Sequence, residues 1–329
     1  MGLPKPRNKD EWIFLAKQRV INVLQRRIAA NIRQLEVKIS ESGPPDKRPE
    51  PHILATALKT LMASDEVKQY KPKGESSKEE SVFYTLTPFY PDVAKKRVDE
   101  LLVPYRIYRM LADKEEYCSQ VLENIASASF QAAGHYTSLG KLPSTAPLDG
   151  VYQMESHKIG NEVKNAREWV YPHSGRIWVM IRKCLEIEAV PFLLARKLPF
   201  VTRAIFSRIG ILGFELHRQV FSPVVAEYLR DIQNTNKLGY KDVIALDQTQ
   251  PHPALVAFLQ NTLPRQIAKY YSIWVSNRDL LLEYAVKRNM GDPDMSDQQR
   301  EPHYKAFARN LFYEDELEED SGDESYYDF

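Results

Sequence analysis

The 329 residues, 43% hydrophobic and 27% charged, suffice for about two domains with buried cores. No run approaches the roughly 20 apolar residues of a membrane helix, and the opening MGLPKPRNKDEW is charged and carries prolines, so neither a membrane span nor a secretory signal is expected. Two unpaired cysteines, Cys118 and Cys184, exclude a disulfide scaffold and a cysteine zinc site, which points to a soluble cytoplasmic protein.

The net charge of +1 conceals an asymmetry. Nine acids and no Lys or Arg follow from Glu314, a tail of −9 that leaves about +10 on the rest. A basic body attracts phosphate backbones through counterion release, and an equally simple reading is that its lysines maintain solubility.

Taken in chain order, Asp10 to about Glu36 reads as one long amphipathic helix, with Trp12, Ile13, Val20, Leu24, Ile28 and Ile32 at helical spacing. SESGPPDKRPEP breaks it. Pro51 to Val67 gives a second helix, KPKGESSKEES a polar turn region, and VFYTLTP a short β-rich run. This order resembles a winged-helix domain over residues 1–91. That resemblance implies that the second helix, with Lys59, enters a major groove, or that the domain serves only dimerisation or protein contact. Asp92 to about Phe130 is helical, broken near Pro104.

The texture then changes to the β-type runs TSLGKLPSTAPLDGVYQM, IGNEVKNA, AVPFLLARKLP and ILGFEL, with a helix from Gly175 to Glu186 between them. Helix, strands, crossover helix and further strands indicate an α/β core with a mixed sheet over 92–222. The chain is helical again from Pro223, expected as a separate C-terminal subdomain to 312, and 313–329 is expected to be a disordered acidic tail.

The chemistry concentrates in PLDGVYQMESHKIGNEVKN. Asp149 opens one β-type run; Glu162-Val163-Lys164 lies on the next, across a hairpin near Glu155 to Lys158. Residues two apart on a strand share a face, so Glu162 and Lys164 project together while Val163 turns inward. Two carboxylates and an ammonium suit phosphodiester hydrolysis: hard oxygens hold Mg²⁺, and lysine orients water or offsets developing charge. Asp149 and Glu162 are the expected metal ligands with the Val163 carbonyl, and Lys164 the water-positioning cation. The bland alternative is a pair of surface charges.

With twelve residues between Asp149 and Glu162, this pattern resembles the PD-(D/E)XK nuclease superfamily over about residues 110–222, although Leu148 separates Pro147 from Asp149. The resemblance implies a restriction-endonuclease-like fold, Mg²⁺ with Mn²⁺ able to substitute, and a further acid from the preceding helix, Glu123 before Glu116. With the winged helix it is similar to Mrr-type restriction enzymes, which implies a DNA endonuclease in restriction or antiviral defence. The alternatives are structure-specific cleavage in repair or recombination, and an inert DNA-binding scaffold.

Arg167, Arg176, Arg182 and Lys183, with Trp169 and Tyr171 between, are expected to track phosphates or to be ordinary solvated positions. Trp178 shares a stripe with Ile181 and Leu185 and reads as core; His173 reads as a neighbour of a helix cap. A homodimer is expected if both strands are cut, and the tail could mimic DNA or dock a partner. No phosphate loop, dinucleotide fingerprint, nucleophile elbow or H-E-x-x-H zinc motif occurs.

Overall fold

The computed structural model describes residues 8–42, 48–72, 82–137 and 148–312, and the chain is mixed α/β. The KGESSKEES turn (73–81), the SLGKLPSTAP run (138–147) and the acidic tail (313–329) lie outside them. Among the described residues no helix is long and apolar enough to cross a membrane. Two compact units form, each built from two stretches of chain.

The first unit runs through Leu111 and takes in Ala226–Val243. Helix α1 (Lys9–Arg27) is capped by the Asn8 side chain, which accepts from Asp10 N–H, and it buries Ala16, Val20 and Leu24 at four-residue spacing. The single helix expected to Glu36 is interrupted. Ile28 adopts φ 68°, Ala29–Asn31 forms strand β1, and α2 (Ile32–Ile39) starts afresh. The reason is local: Asn31 and Gln34 exchange side-chain and backbone bonds at 2.9 and 3.0 Å, a capping box that nucleates a new helix where apolar spacing alone suggested continuity.

Helix α3 (Pro51–Ala63), β2 (Val67–Tyr70) and β3 (Phe83–Leu86) complete an antiparallel sheet of order β1-β3-β2. Helix α4 (Asp92–Ala112) continues through Pro104, where the expectation was a break, and lays Val98, Leu101 and Leu102 against Ala29 and Phe83. The boundary expected at residue 91 therefore falls inside this unit. Residues 226–243, which include α8 (Ala226–Gln233), are tied in through Gln34 Nε2, which donates to the Lys237 and Leu238 carbonyls, and Tyr240 OH, which donates to Asn31 Oδ1.

The second unit is built on a five-stranded sheet of order β4-β5-β6-β7-β8: Tyr136–Thr137, Gly150–Met154, His157–Lys164, Val190–Ala195 and Leu212–Glu215. β4, β5 and β6 form an antiparallel meander, and β6, β7 and β8 run parallel. Parallel neighbours require crossovers. These are α6 (Gly175–Ile187) and α7 (Phe200–Ile209). A short strand, β9 (Gln219–Phe221), follows β8.

Both faces of the sheet are covered, which is why β7 is buried along its whole length. On one face Ile159, Val163, Phe192 and Leu194 pack with α5 (Ser119–Ala132), α9 (Pro253–Asn261) and α10 (Leu263–Ser276). On the other, Val151, Leu193 and Ala195 pack with α6, α7, α11 (Arg278–Leu282) and α12 (Asp297–Phe312). The helices after residue 252 are thus walls of this core, not the separate C-terminal subdomain expected: the apolar stripes Leu255, Leu259, Leu263 and Ile267, and Tyr304 with Phe307, are buried in it.

Candidate active site

The β5–β6 hairpin turns through Glu155 and Ser156, Met154 pairing with His157. Its register carries Gly150 opposite Asn161, so Asp149, one residue earlier, faces Glu162 across the open end. Asp149 is solvent-exposed as a residue, yet its Oδ2 accepts the Val163 N–H at 2.6 Å. Glu162 is only 6% exposed. Lys164 Nζ donates to Glu162 Oε1 at 2.7 Å, and Lys183 Nζ from α6 reaches Oε2 at 3.5 Å.

Sequence spacing therefore identified Asp149, Glu162 and Lys164 as neighbours, and the fold brings them together. Glu123 on α5 lies within electrostatic reach of all three; Glu116 stands apart in an exposed 3-10 turn before α5.

The electrostatics follow from crowding acids at a partly desolvated strand end. Desolvation first, and then the Glu162 charge, raise the proton affinity of Asp149; the Val163 N–H, Lys164 and Lys183 counter them without cancelling them. Glu123 is raised in the same direction by desolvation and by Asp149. Three carboxylates against two ammonium groups leave this cluster short of positive charge.

Among the described residues no three His, Cys, Asp or Glu side chains are grouped so as to hold a metal ion. Glu123 feels the Asp149 charge but does not complete such a set. The oxygen donors brought together are the Asp149 and Glu162 carboxylates, with the Val163 N–H on Asp149. Their chemistry fits Mg²⁺, which takes one or two protein carboxylates and keeps several waters, and a divalent ion would relieve the repulsion between the two acids.

The residues expected to touch nucleic acid separate into two groups. Lys59 on α3 and Arg176 in the first turn of α6 are exposed; Arg182 is half-buried, its stem packed beside Gly291. Arg167 and Lys183 correct the expectation of a basic surface: Arg167 is 3% exposed, with Arg196 donating to its carbonyl at 2.7 Å, and Lys183 is 6% exposed on Glu162.

A signal for Lys183 was present in the sequence. It lies between Met180, Cys184 and Ile187 on the apolar stripe of α6, all of them buried, which is no place for a solvated lysine. Trp178 is core as its stripe implied, its Nε1 donating to the Pro172 carbonyl at 2.9 Å. Comparison of the chain with protein-family models, with curated proteins and with solved structures gives no match.

Proposed function

We propose that this chain is a Mg²⁺-dependent DNA endonuclease. The observation that carries the reading is the convergence of Asp149, Glu162 and Lys164 at the end of one hairpin, with Glu162 bonded to Lys164 at 2.7 Å. Topology supports it. The order α5, antiparallel meander β4-β5-β6, crossover helix α6 and parallel β7 resembles the restriction-endonuclease-like core, with Asp149 immediately before β5 and Glu162 on β6. The first unit's order α1-β1-α2-α3-β2-β3, with sheet order β1-β3-β2, resembles a winged helix.

In this reading Asp149 and Glu162 hold the ion, Mn²⁺ being an acceptable substitute. When bound, it supplies Lewis acidity and a water of lowered pKa. Lys164, the more exposed of the two ammonium groups on Glu162, orients the attacking water and offsets charge developing on the phosphate. Lys183 stays buried and holds the Glu162 carboxylate in place from α6. Exposed Lys59 and Arg176 supply phosphate contacts, and restriction or antiviral defence is the setting that the resemblance implies.

One observation favours a second reading, an inert DNA-binding scaffold: both Glu162 oxygens already face an ammonium group. The deciding experiment incubates the full chain with plasmid, single-stranded DNA and RNA, with Mg²⁺ or with chelator, beside Lys164→Ala. The nuclease reading expects metal-dependent cutting that falls by roughly 10²- to 10³-fold in the variant. Cutting that persists in Lys164→Ala removes the catalytic assignment. DNA retained by an uncutting wild type supports the scaffold.

A further inference from the structure

Lys164 is the last residue of β6, and its ammonium is carried on a flexible four-carbon stem. A strand end frays unless something holds it. The residue immediately after it is buried, and the polar groups of its side chain are all engaged. Asn165 Nδ2 donates to the Cys118 carbonyl at 2.7 Å and to the Val220 carbonyl at 2.6 Å, while Oδ1 accepts the Val220 N–H at 2.9 Å. The Asn165 backbone carbonyl accepts from Gln219 Nε2 at 3.2 Å and from the Cys118 thiol at 3.4 Å.

We propose that Asn165 is a positioning residue for Lys164, a clamp that turns the end of β6 into a fixed point so that the ammonium is delivered to Glu162; the inference rests on the nuclease reading of that site. Three segments distant in sequence meet on this one residue: the cap of α5 at Cys118, the end of β6, and β9 at Gln219 and Val220. The side-chain amide both donates to and accepts from Val220, as a paired peptide group would, although β9 is not a neighbour of β6 in the sheet. It extends strand-like pairing one residue beyond the last β6–β7 pair, Lys164 with Ala195.

Gln219 braces the clamp from behind. Burial pushes the Cys118 thiol up to about 12, so it remains the protonated donor that this geometry needs. Lys183 provides the internal control. It reaches the same carboxylate from α6 and owes nothing to the end of β6.

The test uses the full chain with Asn165→Ser, which shortens the clamp, and Gln219→Leu, which removes only its brace at similar volume. Circular dichroism verifies folding. Reductive dimethylation followed by mass spectrometry then reads the reactivity of Lys164 and Lys183 separately, beside kcat and KM on DNA. Release of the strand end should raise labelling of Lys164 by about tenfold at unchanged Lys183, and lower kcat by about 10²-fold at unchanged KM, the effect of a misplacement near 1 Å.

Unchanged Lys164 labelling in a folded variant overturns the proposal. So does labelling that rises equally at both lysines, which marks general loosening, and so does raised Lys164 labelling with kcat intact. If Asn165→Ser fails to fold, Gln219→Leu decides. If wild type does not cleave DNA, the nuclease reading fails on that result alone, and the labelling still decides whether the clamp holds Lys164.

Discussion

Replacing Lys183 by Met tests whether Glu162 depends on a second, buried ammonium. The two side chains are 7% and 8% exposed and 3.5 Å apart, so their attraction is poorly screened. At an effective dielectric near 20 the Coulomb term is about 5 kcal/mol, and desolvation of the lysine takes back much of it. Removing one partner of an isolated buried pair costs about 3–5 kcal/mol. Here Lys164 remains on the other oxygen at 2.7 Å, so the expected loss is smaller, about 1–3 kcal/mol.

Urea unfolding followed by tryptophan emission, with Trp12 of the other unit replaced by Phe, reports the right unit, since Trp169, Trp178 and Trp274 belong to it. A double-mutant cycle with Glu162→Gln isolates the pair from the other contacts of Lys183: neutralising the carboxylate should recover most of the loss. A coupling energy within about 0.3–0.5 kcal/mol of zero is ordinary additivity and would refute the reasoning.

Asp149→Asn should stabilise the protein and, on the proposed nuclease reading, abolish cleavage. The native state holds the Asp149 proton more tightly than the unfolded chain, whose value is near 3.8, so wild-type stability falls as pH rises through the interval above that value and stays reduced at neutrality. Melting midpoints against pH should show the variant without that decline; parallel curves would contradict the sign.

Gly160→Ala would set a Cβ 2.6 Å from Cys184 Sγ and 2.9 Å from Leu148 Cδ1, an overpacking worth about 1–3 kcal/mol in urea unfolding. Because Leu148 adjoins Asp149, the proposed cleavage should fall with it, and adding Cys184→Ala should restore part of both. If the proposed DNA binding holds, Arg176→Ala should weaken it and reduce the salt slope by about one charge without changing stability, as filter binding at several salt concentrations would report.

Legibility in the sequence follows the range of the interactions. Asp149, Glu162 and Lys164 could be grouped from spacing because a two-residue hairpin and a period of two are local facts. The parallel strand β7 was legible for a related reason, since VPFLLA is apolar on both faces. Strand β1 was not: Ala29-Ala30-Asn31 has no strand character and exists because β3 pairs with it, Ala29 opposite Thr85. Asn165 was equally silent, for its side-chain partners lie 47 and 55 residues away along the chain. The Lys183 error has a different origin. Counting basic residues treated α6 as a surface, when its apolar stripe already assigned that position to the interior.

The topology explains why the charges meet where they do. β6 is the strand at which the sheet changes from antiparallel to parallel pairing. Its antiparallel neighbour can bring in a residue only from across a tight hairpin, which supplies Asp149. Its parallel neighbour must be reached through a crossover helix lying on the sheet face, which supplies Lys183. An interior strand with the apolar β7 beside it, Leu193 opposite Glu162, would be more stable with an apolar residue at that position, because a buried ion pair seldom repays its desolvation. Two ammonium groups held on one buried carboxylate, with a second acid set against it across the hairpin, are a standing cost to folding. Such costs concentrate where chemistry needs them.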